Sequence, residues 1–149
     1  MDSGARAAVI GLTLEHSGAD IYKAMMEGVT YEIMMNIESL ERCGIAPNAL
    51  YATGGGAASE VWLQIKADIL NRPVTSVDAK EAGTLGTCML AGCAAGVFGN
   101  LYQAREVFVR RKKTFLPDYE NAMRYKKLYG AYRKIYNAVR PIIKEANDE

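Results

Sequence analysis

Met26, Val29, Ile33, Ile37 and Leu40 recur at steps of three and four residues, the spacing that lines one face of an α-helix. The pattern predicts a long helix from about Ala19 to Arg42, with Ile21, Met25 and Met35 widening its apolar face. Ser17 and Asp20, three apart, supply a cap and a first-turn acid, and Gly44 follows as a C-terminal cap. A second helix is expected from about Ser59 to Leu70, carried by Trp62, Ile65 and Ile69 and stopped by Asn71-Arg72-Pro73. A third covers about Glu81 to Val97. It is apolar nearly all round, with Gly83, Gly86, Thr87, Ala91, Gly92, Ala94 and Ala95 set among Leu85, Met89 and Leu90. Small residues allow close approach, so a centrally packed helix is predicted. Its length and its Lys80 and Glu81 flank argue against a membrane span. A shorter helix, about Leu101 to Val109, follows the Gly99-Asn100 break.

The last helix begins near Asp118. Tyr125, Leu128, Tyr132, Ile135, Val139 and Ile142 form an amphipathic stripe, and Tyr119, Tyr129 and Tyr136 thicken it. Pro141 is expected to end or kink the helix. The stripe reads as a closing helix packed across the domain, with a homodimer or coiled-coil face as the alternative.

Three short runs read as strands: Arg6–Leu12, Leu50–Thr53 and Pro73–Ser76. Strands and helices therefore alternate, which argues for an α/β domain with parallel-type strands. Three strands make a thin sheet and hint at part of a larger fold.

Between the second strand and the second helix stands Thr53-Gly54-Gly55-Gly56-Ala57-Ala58-Ser59. Glycines admit positive φ and put no Cβ between backbone and ligand. The first N–H groups of a helix lack intrahelical partners and favour negative charge. The order strand, triple glycine, helix start suits a phosphate or nucleotide near residues 54–59. A ligand-free strand-to-helix turn uses the same residues, so the glycines alone leave both readings open.

With 149 residues the chain can bury one real core. The formal net charge of +1 offers no global field for nucleic acid, and no apolar run has the length of a membrane span. Met1–Arg6 shows no charged-then-apolar leader pattern. Cys43, Cys88 and Cys93 form no CxxC pair; they read as reduced core thiols of a cytoplasmic protein rather than a disulfide framework or zinc site. His16 stands alone and reads as a surface loop residue. Arg110-Arg111-Lys112-Lys113 reads as a solvated loop, though such a run can also meet phosphate-rich partners.

Several spaced motifs together carry a resemblance. Ala7-Ala8-Val9-Ile10-Gly11-Leu12 followed after seven residues by Asp20-Ile21-Tyr22-Lys23-Ala24-Met25-Met26-Glu27 resembles the C-terminal signature of the FGGY carbohydrate kinases. Thr53 to Leu70 is similar to that family's adenosine motif. Asn71-Arg72-Pro73-Val74, then Glu81 to Ala91, resemble its next strand and its Ala/Gly-rich helix. Pro117-Asp118-Tyr119 and the tyrosine-rich last helix are also similar. Thr87-Cys88 stand where the family usually has Ala-Ala, and Gly83 where an Ala is common; both are packing changes.

The resemblance implies an actin/hexokinase/Hsp70-like (ribonuclease H-like) α/β fold with ATP held in a cleft between two domains, and phosphorylation of a sugar or polyol hydroxyl. By matched position Gly54, Gly55 and Gly56 would lie against the nucleotide's sugar and phosphates, and Ser59 near the adenine. Trp62 would be core beneath the site. Glu27 would be structural, paired with the chain near Gly11–Thr13. Trp62 and the C-terminal pattern are most similar to xylulose kinases, with gluconate, ribulose, fuculose and glycerol kinases close. The resemblance also implies that residues 1–149 are the C-terminal portion of a longer ATP-binding domain, as a cloned domain or a truncated reading frame. The sugar-binding domain, catalytic base and Mg²⁺ ligands would belong to a missing N-terminal part, so no catalytic or metal-binding residue is assigned here. A dinucleotide-binding domain is the rival. It lacks GxGxxG spacing, and Asp78 is a poor candidate for its ribose acid.

Overall fold

The computed structural model describes residues 4–79 and 81–147. Met1–Ser3 of the leader reading and Lys80 of the helix flank lie outside them. Helix α1 spans Gly18–Arg42, strand β1 Leu50–Ala52, helix α2 Glu60–Leu70 and strand β2 Val74–Val77. Helix α3 (Ala82–Ala94), helix α4 (Leu101–Phe108), strand β3 (Arg111–Phe115) and helix α5 (Tyr119–Asn147) follow.

Local chemistry fixes the ends. The Ser17 amide and hydroxyl both donate to Asp20 Oδ2, at 2.8 and 2.6 Å, and hold that carboxyl below its ordinary pKa. Gly44 takes φ +81° and closes α1 as expected. Asn71, at φ 48°, ends α2. Helix α5 starts on a buried carboxylate of α2: Asp68 accepts from the Asp118 amide at 2.8 Å, Asn121 Nδ2 at 3.2 Å and Gln64 Nε2 at 2.8 Å. Helix α5 continues past Pro141, which does not end it.

The sheet order is β1-β2-β3. β1 pairs with β2 in parallel, Leu50 opposite Val74. β3 pairs antiparallel to β2, Val74 opposite Phe115, with an irregular register around Ser76. Ser76 Oγ fills the irregularity by donating to the Lys113 carbonyl at 3.1 Å and accepting from its amide at 3.2 Å. The sheet is thus mixed rather than all parallel. Its third strand is the basic run expected to be a solvated loop, and that expectation is corrected. An edge strand leaves its lysines free to reach water, so a basic run and a strand are compatible. Lys112 meets Asp78 at 2.8 Å and Lys113 meets Glu60 at 2.6 Å.

The expected strand at Arg6–Leu12 is absent. Those residues are exposed coil, Val9 at 54% and Ile10 at 59%, with no strand beside them among the described residues. A strand needs a neighbour to take its N–H and C=O groups.

Helix α2 is the centre of the core. Leu63, Ala67 and Leu70 pack with Val74 and Phe115 of the sheet and with Ile33 and Ile37 of α1. Ile65 and Ile69 pack with Tyr31 of α1 and Tyr129 of α5. The tyrosine face of α5 meets α1 directly: the Tyr31 ring lies 4.9 Å from Tyr132 and 5.6 Å from Tyr129 between centroids. The packed stripe is Ala122, Tyr125, Tyr129 and Tyr132; Leu128 is exposed, contrary to the stripe read from periodicity. Glu27 is a structural residue, as expected, but its partners are Tyr125, whose hydroxyl donates to it at 2.8 Å, and Lys23. Gly11–Thr13 is not its partner.

Helix α3 overturns another expectation. It buries no residue and packs chiefly against α4. A Cβ on Gly83 or Gly86 would meet nothing within 4 Å, whereas one on Gly92 would come within 2.7 Å of the Phe98 ring. Only Gly92 uses its missing side chain, to seat Phe98, which also meets Phe108 edge-on at 5.7 Å. Cys43 and Cys88 are exposed and Cys93 half-buried, so they are not core thiols. No helix among the described residues is long and apolar enough to cross a membrane.

The tyrosine cluster makes stability fall at alkaline pH. Burial is the main cause that raises Tyr31, Tyr125, Tyr129 and Tyr132 above their ordinary value of 10, and Glu27, Glu38 and Glu32 reinforce it; Tyr129 reaches about 12. The folded state then holds protons that the unfolded state releases, so the stabilisation is whole below pH 10 and is lost as pH rises through the folded values. Urea midpoints measured from pH 8 upward should hold steady to about pH 10 and then decline, with the tyrosinate absorbance of the clustered Tyr31, Tyr125, Tyr129 and Tyr132 appearing together with unfolding, after that of the exposed tyrosines. A midpoint unchanged well above that range would contradict the cluster's burial.

Candidate functional site

The triple glycine forms the link between β1 and α2. Gly54 takes φ 75° and ψ −166°, a region open essentially to glycine alone. Gly55–Ala57 then make one 3-10 turn, in which the Ala57 amide donates to the Gly54 carbonyl at 3.0 Å and the Ala58 amide to Gly55 at 3.1 Å. Thr53 Oγ1 donates to the Ala79 carbonyl at 2.7 Å and ties the turn to the end of β2.

The turn has two unlike sides. Cβ atoms on Gly54 or Gly55 would meet nothing within 4 Å, and both residues are exposed. A Cβ on Gly56 would press 3.1 Å from Trp62 Cζ3 and 3.4 Å from Lys66 Nζ. Trp62 is fixed below the turn: its Nε1 lies 3.2 Å from the Met26 carbonyl and 3.3 Å from Thr30 Oγ1, both on α1. It is packed beneath the turn, half-buried rather than in the core as expected, with the Lys66 ammonium 4.3 Å from its ring centre.

Ser59 caps α2, its hydroxyl accepting from the Trp62 amide at 3.3 Å. Glu60 and Val61, in the first turn of the helix, find no internal partner for their amides among the described residues. The four expected residues, Gly54, Gly55, Gly56 and Ser59, therefore sit together at one helix start. Three of them differ in use: Gly54 makes the bend, Gly55 leaves open space and Gly56 packs on Trp62. Open backbone beside amides without internal partners is an arrangement that favours negative charge. No group of His, Cys, Asp and Glu among the described residues could hold a metal ion. His16 is exposed and bonded to Thr13. Lys66, whose ammonium reaches the turn, carried no signal in the sequence, since a helical lysine ordinarily reads as solvated.

Substitutions should separate the two sides of the turn. Gly56→Ala should lower folding stability by about 1–3 kcal/mol, because the added Cβ forces the Trp62 ring, bonded to α1, to shift. Gly55→Val should stay within about 1 kcal/mol of the parent chain. Urea unfolding of both variants checks this, and a larger loss for Gly55→Val than for Gly56→Ala would refute the assigned geometry.

Residues 1–95 match the C-terminal domain of the FGGY family of carbohydrate kinases. The chain is 33% identical over 135 residues to the xylulose kinase of Bacillus subtilis, a match covering 91% of this chain and 27% of that protein. In structure it resembles the ligand-bound xylulose kinase from Lactobacillus acidophilus, with a TM-score of 0.81 at 30% identity over 93% of this chain and 28% of that one. The gluconate kinase from Lactobacillus acidophilus matches with a TM-score of 0.80 at 30% identity, again over 93% and 28%. Glycerol kinases and ribulokinases also occur among the relatives. The chain thus spans under a third of the length of the proteins it matches, and its fold is that of the sugar kinases of the actin/hexokinase-like type.

Proposed function

The chain belongs to the FGGY family of carbohydrate kinases, and from that premise we propose that it supplies one wall of the ATP site of a sugar or polyol kinase. On this reading Gly54, Gly55 and Gly56 lie against the ribose and phosphates, and Ser59 lies near the adenine. The observation that carries it is the open, positive-φ face of Gly54 and Gly55 at the start of α2, beside amides without internal partners. Backbone donors and the helix dipole favour negative charge at that point.

Xylulose is the favoured substrate, because xylulose kinases lead the relatives. Gluconate, ribulose, fuculose and glycerol are the alternatives. Phosphoryl transfer needs a positioned hydroxyl, a base and a metal clamp. Because the chain aligns with under a third of its relatives' length, Mg²⁺ and the base would come from the remainder of a longer parent, working in the cytoplasm. The isolated chain would then be inactive. The exposed Val9, Ile10, Leu90 and Val97 support a missing neighbour, since large apolar patches usually mark an interface. A nucleic-acid role for the basic run gains little support, since Lys112 and Lys113 are engaged with Asp78 and Glu60.

Two measurements test this. In calorimetric or NMR titration, ATP and ADP should bind alike, with a dissociation constant near millimolar or weaker. A helix start and a few amides contribute on the order of 1–3 kcal/mol, far below the roughly 8 kcal/mol of micromolar binding. Micromolar affinity, or a strong preference for ATP, would mean the chain holds more of the site than proposed. Separately, the purified chain should bind a hydrophobic dye or self-associate, and should release no ADP from ATP, Mg²⁺ and a panel of pentuloses and polyols. A dye-silent, monodisperse monomer would count against a covering partner, and turnover would end the proposal that catalytic groups lie elsewhere.

A further inference from the structure

Lys66 stands two turns into α2, and its side chain leans back toward the helix N-terminus, as helical side chains do. Its Nζ donates to the Gly56 carbonyl at 3.2 Å and lies 4.3 Å from the centre of the Trp62 ring. The residue is half-buried, and burial draws its ammonium below the ordinary lysine pKa. No carboxylate stands within ion-pair distance of it among the described residues. The surface lysines of β3, by contrast, each meet an acid.

This combination is more than space filling. An apolar side chain of similar length would cover Trp62 equally well without the cost of partly desolvating a charge. The charge is directed at one atom, the carbonyl of the last glycine in the turn. Holding that carbonyl fixes the peptide plane between Gly56 and Ala57, and so the pose of the turn whose outer side is open at Gly54 and Gly55. The ammonium also leaves positive charge under the turn without a neutralising acid, and the field of a partly buried charge is screened less than that of an exposed one.

We propose that Lys66 is a positioning residue for the nucleotide site: braced on Trp62, it holds the Gly56 carbonyl so that the glycine turn presents its open face and a net positive field to the phosphates. This rests on the reading that the turn takes a nucleotide.

The test compares the full chain with Lys66→Met and Lys66→Arg, each first shown to be folded by a thermal melt. ADP is the probe, titrated while the amide signals of Gly54–Ala58 are followed by NMR. In the free protein Lys66→Met should shift the Gly56 and Ala57 amides. It should weaken ADP binding about tenfold, the scale of one hydrogen bond to a charged group, and Lys66→Arg should restore most of the loss. Parental affinity in Lys66→Met overturns the proposal, and so does an arginine variant as weak as the methionine one. Should the methionine variant fail to fold, Lys66→Leu, which likewise removes both donor and charge, makes the same comparison. Should ADP move no turn signal even in the parent chain, the nucleotide reading itself has failed and the proposal falls with it. The ADP-free shifts then still report whether Lys66 braces Gly56, which keeps the two failures apart.

Discussion

Burial of helix α2 on two sides is the constraint on which the rest depends. One side, Leu63, Ala67 and Leu70, closes on the sheet and α1. The other, Ile65 and Ile69, closes on the tyrosines of α1 and α5. Each fully buried Leu or Ile contributes about 1.5–3 kcal/mol. The exposed ion pairs of β3 contribute about 0–1 kcal/mol each, so packing rather than surface charge decides where α2 lies. Asp68 adds a directional link, because the buried carboxylate of α2 receives the first amide before α5.

The glycine turn inherits its position from that burial. Trp62 lies one turn into α2 and is bonded to α1, so the floor of the turn is set by two helices at once. Gly56 touches this floor, and Gly54 and Gly55 do not. A rigid lower side with an open upper side is what a backbone binding surface needs, since donors that are already oriented lose little freedom when a ligand arrives. The same helix thus links the core of the chain to the chemistry proposed for it.

The remainder of the chain is built differently. Helices α3 and α4 hold to each other through Phe98, Gly92 and Phe108, with little apolar burial elsewhere. Exposed apolar residues cluster there and in the coil before α1. The chain aligns with under a third of its relatives' length, and its sheet has three strands.

Much of this was legible in the sequence. Periodicity located α1, α2 and α5, because an amphipathic helix writes its buried face into its own spacing, and the Gly99-Asn100 break marked the start of α4. Ser17, Asp20, Gly44 and Ser59 marked helix ends because caps are local chemistry. The three glycines and Ser59 were found as one group because they are contiguous. Pairing and packing were not legible, since both depend on residues far away in the chain. Arg6–Leu12 has strand-forming residues but no strand to pair with, and Arg111–Phe115 pairs despite its charge because it lies at an edge. Helix α3 is apolar enough for a core, yet among the described residues it packs chiefly on α4 and buries none of its own residues. Glu27 finds Tyr125, and Lys66 finds Gly56, only after α1, α2 and α5 have been brought together. The sequence by itself determined which segments are helical and where a backbone could meet an anion; the tertiary structure alone decided which faces are covered and which charge stands under the turn, because burial belongs to pairs of surfaces and not to one segment.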